Sequence, residues 1–233
     1  MKSMKKTPYD YCGFRLSRVK EPHFRHILLL LGWVGYLLLY FLTENLIPPE
    51  SCHVIHCRLD DLIPFCEVFV VAYCFWFVYL IGSLLYFFIY DIPSFKGLQV
   101  FIIVTQIVAM ACYILYPSRQ DLRPEVFPRE NVFTWALSFI YHFDTSTGVC
   151  PSLHVAYSLG IASTWLKYRD ASVPFKVFVV IAAVLICMSV SFVKQHSAVD
   201  ILAALPVALL AEIIAYGKSW WRPRLGRKTG AAV

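Results

Sequence analysis

Residues 173–216 read VPFKVFVVIAAVLICMSVSFVKQHSAVDILAALPVALLAEIIAY. Two apolar runs, Val173–Val193 and Ala198–Tyr216, are parted by a few polar residues. Apolar stretches of about 18 or more residues read as membrane-spanning helices. Working outward, the same criterion picks out His26–Leu46, Pro64–Tyr90, Leu98–Tyr116 and Ser152–Leu166, the last being the shortest. The expected fold is therefore an all-α integral membrane protein with a six-helix transmembrane bundle. A catalytic membrane domain is expected at 26–217, between a basic cytoplasmic segment at 1–25 and a basic cytoplasmic tail at 218–233.

Composition supports that class: 59% of residues are hydrophobic and 15% charged, with a mean hydropathy of +0.62. The first run is too long for a signal-peptide core and lacks a small-x-small cleavage site, so it is expected to be retained. Charge orients the chain. Lys2, Lys5, Lys6, Arg15, Arg18, Lys20 and Arg25 precede the first run. Lys167, Arg169 and Lys176 follow the fourth, and Lys218, Arg222, Arg224, Arg227 and Lys228 close the chain. Six spans bring all three groups to one side, which the positive-inside rule makes cytoplasmic. The other side keeps Arg58, Arg119, Arg123, Arg129 and Lys194. The expected location is the plasma membrane with both termini inside. The net charge of +6 thus records topology and does not point to nucleic acid, since no basic stripe is interleaved with aromatics. Trp220-Trp221 reads as an interfacial anchor. Of eight cysteines, Cys66, Cys74, Cys112 and Cys187 lie in apolar runs as small hydrophobes. Cys52, Cys57 and Cys150 are expected outside. A Cys52–Cys57 disulfide stays open, and Cys52-His53-x-x-His56-Cys57 reads either as an ordered loop or as a metal cluster.

The polar break carries the chemistry. His196 and Asp200 stand at i and i+4, on one helix face. A carboxylate one turn from an imidazole holds its tautomer and stabilises the imidazolium. Asp200 close to a membrane costs roughly 2.5–3.5 kcal/mol on insertion scales, so it needs a partner or a function. His154 follows Pro151-Ser152 at the start of the fourth run. The exit of the third run, through Ser118–Pro124, reaches the same expected depth. Three segments distant in sequence thus converge at the extracytoplasmic boundary, where phosphoryl chemistry on a lipid is the expected activity. Arg123 leads as the phosphate-binding cation, with Arg119 and Lys194 next, because cations hold phosphate oxygens and Arg does so bidentately. The Ser152 hydroxyl and the N–H groups opening its helix add to that cradle. His196 is the expected nucleophile, and His154 the acid/base group. The scheme needs no metal or cofactor, and membrane lipids are the expected partners. Structural readings stand beside it: a plain His196–Asp200 pair, Arg123 paired with Asp121 or Glu125, Lys194 snorkelling, and Glu212 as a structural or interfacial group.

The pattern resembles the type 2 phosphatidic acid phosphatase superfamily over about residues 98–217. Pro151, Ser152 and His154 fit its Pro-Ser-Gly-His motif; Ser189, His196 and Asp200 fit Ser-Arg-x5-His-x3-Asp; Arg123-Pro124 fits the end of its Lys/Arg-Pro segment. Leu153, Val190 and Tyr116 depart from it at the motif Gly, Arg and Lys. Pro-Ser-Leu-His is similar to the inositol phosphorylceramide synthase form, and Lys194-x-His196-x3-Asp200 to sphingomyelin synthases. That resemblance implies a lipid phosphatase or headgroup phosphotransferase with a phosphohistidine on His196. The segment Leu59–Phe65 is similar to the transferase branch and implies Asp61 as a headgroup-binding residue, against the alternative that Asp60 or Asp61 caps a helix. Two other classes compete. One is a transporter or structural protein keeping a degenerate site. The other is a serine hydrolase using Ser152, which lacks a Gly-x-Ser-x-Gly elbow.

Overall fold

The computed structural model of the chain describes residues 7–217, so Lys2, Lys5, Lys6, the basic tail and Trp220-Trp221 lie outside the described residues. The described residues are all-α apart from one two-residue strand pair. Its helices are α1 (Leu31–Leu46, continuing a 3-10 helix at Arg25–Leu30), α2 (Arg58–Leu62), α3 (Val70–Tyr90), α4 (Ile92–Leu115), α5 (Val132–Phe143), α6 (Leu153–Lys167), α7 (Val173–Phe192) and α8 (Ala198–Tyr216). Among the described residues, five helical stretches are long and apolar enough to cross a membrane: Arg25–Leu46, Glu67–Tyr90, Ile92–Leu115, Val173–Phe192 and Ala198–Tyr216.

The sixth expected run differs. It forms α6, a helix of 15 residues, about 22 Å long at 1.5 Å per residue, against a hydrocarbon core of about 30 Å. The reason lies in packing. α6 touches α3, α4, α7 and α8, so protein rather than lipid surrounds it and an apolar surface is not required. Its polar side chains bond within the helix: Ser158 Oγ donates to the His154 carbonyl at 2.7 Å and Thr164 Oγ1 to that of Gly160 at 2.8 Å. At Gly160 a Cβ would lie 2.4 Å from the Phe101 ring, so glycine lets α4 close on α6. α1 is the opposite case. None of its residues is buried, and it rests mainly on α4.

Element ends moved where polar residues hid a helix start. α4 begins at Ile92 rather than at Leu98, because the Asp91 carboxylate accepts the Ser94 N–H at 3.2 Å and proline occupies the first turn. α5 lies wholly in the expected 117–151 loop. Asn131 opens it with a capping box, accepting from Phe133 and Thr134 N–H while its own N–H donates to Thr134 Oγ1.

The loops at one end of the bundle tie together. β1 (His53–Val54) pairs in parallel with β2 (Ser118–Arg119), and Arg119 bridges to Thr147. His53 stacks on Tyr116 at 4.2 Å and His56 bonds Asp61, so Cys52, His53, His56 and Cys57 do not converge. Cys52 and Cys57 are unbridged. At the other end, the described part of the segment before the first span, from residue 7, packs on the bundle. Tyr9 N–H donates to the Ile89 carbonyl, and Tyr11 stacks on Phe88 at 4.9 Å and bonds the buried His26.

Candidate functional site

The three segments meet at the looped end. The start of α6 is pinned to the start of α8 by Ser152 N–H donating to the Asp200 carbonyl at 3.1 Å. Tyr113 OH fixes the preceding residue, donating to the Pro151 carbonyl at 2.8 Å. The turn from α7 to α8 is held by the N–H groups of Gln195 and His196, both donating to the Val190 carbonyl. Lys194 allows that turn with a φ of +54°.

His196 Nδ1 lies 3.1 Å from Asp200 Oδ2, and the Ser197 N–H donates to the same oxygen at 3.0 Å. An ionised carboxylate only accepts, so Nδ1 carries the proton and Nε2 keeps its lone pair. Asp200 is fully buried. The His154 ring stands 5.8 Å from that of His196, edge to face, against Tyr73 at 4.7 Å and Trp76 at 4.3 Å. Among the described residues, Ser152 Oγ, His154 Nε2 and Asp200 Oδ1 have no hydrogen-bond partner. Both histidines line a cavity of about 460 Å³. Asp144, Thr145, Thr147 and Gln195 line its polar part, whereas Trp33, Leu37, Phe77 and Ile81 form an apolar cleft between α1 and α3. Leu37, Phe77 and Ile81 are each more than half exposed, so the cleft reaches the outer face of the bundle.

The three expected phosphate cations are placed differently. Arg123 Nη1 donates to the Tyr141 carbonyl at 3.1 Å, and Nη2 faces the carbonyls of Asp144 and Thr145 and Gln195 Oε1, at 2.6, 3.0 and 2.5 Å. It also stacks over the Tyr141 ring. It lies one residue from the site, through Gln195, holding the loop behind it; burial lowers its pKa. Arg119 pairs with Asp121 at 3.2 Å and leans on the Pro49 carbonyl. Lys194 Nζ donates to the carbonyls of Asp60 and Ile63 at 2.9 and 2.6 Å, and burial lowers its pKa. Asp61 lies apart, 65% exposed and paired with His56 at 2.8 Å. Of the motif departures, Val190 is fully buried in an apolar cluster with Tyr73 and Leu137, and Tyr116 lies on His53.

Two groups at the site, Asp144 and Glu44, escaped sequence reasoning, and a third, Asp60, was read only as a cap of α2, which it is through the Cys57 N–H. Asp60, its neighbour's inverse in exposure, is buried and bonds the start of α8. Asp144 Oδ2 accepts from Tyr73 OH at 2.5 Å and from Gln195 Nε2 at 3.0 Å. Glu44 accepts from Thr145 and Thr147 hydroxyls at 2.5 and 2.9 Å. Among the described residues neither Asp144 nor Glu44 has a cation within ion-pair distance. A pattern of carboxylates beside hydroxyls was present in Asp144-Thr145-x-Thr147, but nothing in the linear order ties it to α1. The Cys150 thiol, also near Asp200, is pushed up to about 12, by burial first and then by that carboxylate, and is no nucleophile. Comparison with family models, curated proteins and solved structures gave no match.

Proposed function

We propose that the chain is an integral-membrane enzyme that moves a phosphoryl-containing group on a lipid, using His196 as nucleophile. The observation that carries this reading is the cavity itself. It puts two histidines at its polar part, one of them held from behind by the buried Asp200, and an apolar cleft, open to the side, at the other. A lipid laid there has its chain between α1 and α3 and its phosphorus at the imidazoles. Asp200 holds His196 Nδ1–H, so Nε2 attacks phosphorus and forms the P–N bond as the P–O bond to the leaving alcohol breaks. His154, brought to its imidazolium form by the negative charge of the bound phosphate, gives its proton to that alkoxide. It then takes one from the incoming water or lipid alcohol, whose oxygen displaces His196. With six spans, α6 being the short central one, this site faces the extracytoplasmic side, as the basic segments require.

The charges around the cavity favour headgroup transfer over phosphate release. A phosphomonoester brings close to two negative charges and needs free cations. Here the Nη groups of Arg119 and Arg123 and the ammonium of Lys194 are engaged by protein oxygens, while two carboxylates stand nearby, Asp144, which Arg123 meets only through Gln195, and Glu44. A phosphodiester, with one charge and an ammonium or hydroxyl-bearing headgroup, suits that balance. The motif resemblance to the superfamily's transferase branch agrees with it.

The test is purified protein in detergent with radiolabelled phospholipids and lipid phosphates, following free phosphate and new lipids together, with His196→Ala alongside. A new headgroup-bearing lipid formed by the wild type alone is the expected result. Free phosphate alone would make the protein a phosphatase. No turnover of any lipid by folded protein would overturn the reading.

A further inference from the structure

α8 already caps itself. Ser197 Oγ accepts the Val199 N–H at 3.1 Å and Asp200 accepts the Ser197 N–H. A second carboxylate is therefore not needed to start this helix, yet one is present. Asp60, only 3% exposed, comes from α2 and accepts the Ser197 hydroxyl at 2.6 Å, the Ala198 N–H at 2.7 Å and the Cys57 N–H at 2.8 Å. Lys194 answers in the other direction, its ammonium donating to the carbonyls of Asp60 and Ile63 at the end of α2. A helix of five residues is thus cross-tied to the α7–α8 turn from both sides.

The tie acts on the pair that matters. Ser197 is gripped at its hydroxyl by Asp60 while its N–H holds Asp200 Oδ2, the oxygen that faces His196 Nδ1. Moreover, Asp200 lies in the first turn of α8, where the positive end of the helix dipole stabilises its charge and weakens its pull on the imidazole proton. A carboxylate over the same terminus offsets that field. Burying it costs free energy that a surface cap would not.

We infer that Asp60 is a positioning residue that, through Ser197 and the α8 N-terminus, aims Asp200 at His196 and keeps the Nδ1–H tautomer with Nε2 free. This rests on His196 being the nucleophile. It makes the α2 segment part of the active centre although Asp60 touches no substrate.

The test compares wild type, Asp60→Ala, Asp60→Asn and Lys194→Met in detergent, by turnover of the phospholipid panel and by 15N NMR of labelled histidine. Asp60→Ala is expected to lower kcat about ten- to hundred-fold, the range for a small misplacement of reacting groups, with KM within about twofold. The His196 resonances should move from the Nδ1–H pattern to a mixture of tautomers. Asp60→Asn keeps an oxygen for Ala198 and Ser197 and should recover most of both. Lys194→Met, which loosens the tie from the other side, should give a smaller change in the same direction. If Asp60→Ala fails to fold, Lys194→Met carries the decision by the same readouts. An unchanged His196 tautomer in folded Asp60→Ala, or in Lys194→Met where Asp60→Ala does not fold, overturns the inference whatever the activity. Wild type silent on every lipid, with the tautomer still responding to residue 60, sinks the proposed reaction and leaves the positioning role standing.

Discussion

α8 carries a buried carboxylate near each end, and the two are treated in opposite ways. At the end away from the loops, Glu212 forms an ion pair with Lys167 and accepts from Ser163 Oγ at 2.9 Å, while Lys167 also bonds Ser163 and lies over the Tyr216 ring at 4.4 Å. Every strong donor there has an acceptor. At the looped end, Asp200 binds His196, but Ser152 Oγ, His154 Nε2 and Asp200 Oδ1 are left without partners beside a cavity. Buried polar groups are normally satisfied, because an orphaned one costs about 1–3 kcal/mol. A fully paired cluster needs nothing further and serves to hold helices. On the proposed function, a ligand in the cavity lined by His154 and His196 completes the unpaired end. On that reading the same helix separates a structural end from a working end.

The largest expected effect breaks the working end alone. His196→Ala and His154→Ala should each lower turnover about a hundred- to ten-thousand-fold, with thermal unfolding in detergent unchanged within a few degrees. Unfolding lowered as far as turnover would make the two ends alike. The converse change is next. Glu212→Ala leaves the partly buried Lys167 without its carboxylate partner and should cost about 1–3 kcal/mol, read as a fall in the unfolding midpoint, while turnover per folded molecule stays near wild type. The double change Lys167→Met with Glu212→Leu should recover much of that stability, since a buried pair exchanged for apolar side chains is often neutral.

How far the sequence foretold this division depends on the residue. The long apolar runs and the i, i+4 pair were legible because both follow from helical periodicity, and His154 was legible from its Pro-Ser helix start. α6 was legible as the shortest helix but not as one wrapped by protein, since apolar content does not separate lipid contact from core contact. α5 was hidden by reading Asn131-x-x-Thr134 as loop when it is a capping box. Arg123, Arg119 and Lys194 were read as free cations; which acceptors they meet depends on loops brought together from Tyr141–Thr145, Pro49 and Asp60–Ile63. Asp60 and Asp61 are indistinguishable in composition. Only the placement of α2 makes one of them buried and the other exposed.

A smaller effect sharpens the substrate side of the comparison. Asp144 and Glu44 are carboxylates near the cavity with no cation within ion-pair distance among the described residues, whereas Glu212 at the far end is paired with Lys167. If the former attract the headgroup, Asp144→Asn with Glu44→Gln should reduce turnover of an ammonium-bearing phospholipid about tenfold, the scale of one hydrogen bond to a charged group. Turnover of a lipid with an uncharged hydroxyl headgroup should change much less. Equal losses on both would mean that the carboxylates only organise the Tyr73–Gln195 network.

The smallest effect concerns acid. Burial alone would raise the pKa of Asp60, but bonds from the Ser197 hydroxyl and the Ala198 and Cys57 N–H groups outweigh it and hold the carboxyl below its ordinary value. A carboxyl lowered on folding contributes stability that is fully present above its unfolded value, about 3.9, and is lost as pH falls through the folded one. The difference in unfolding midpoint between wild type and Asp60→Asn should therefore stay flat from pH 7 to about 5 and close below about 4. A difference that widened in acid would mean that Asp60 is held protonated. It would then offer no negative charge to the start of α8, and Asp200 would face the helix dipole alone.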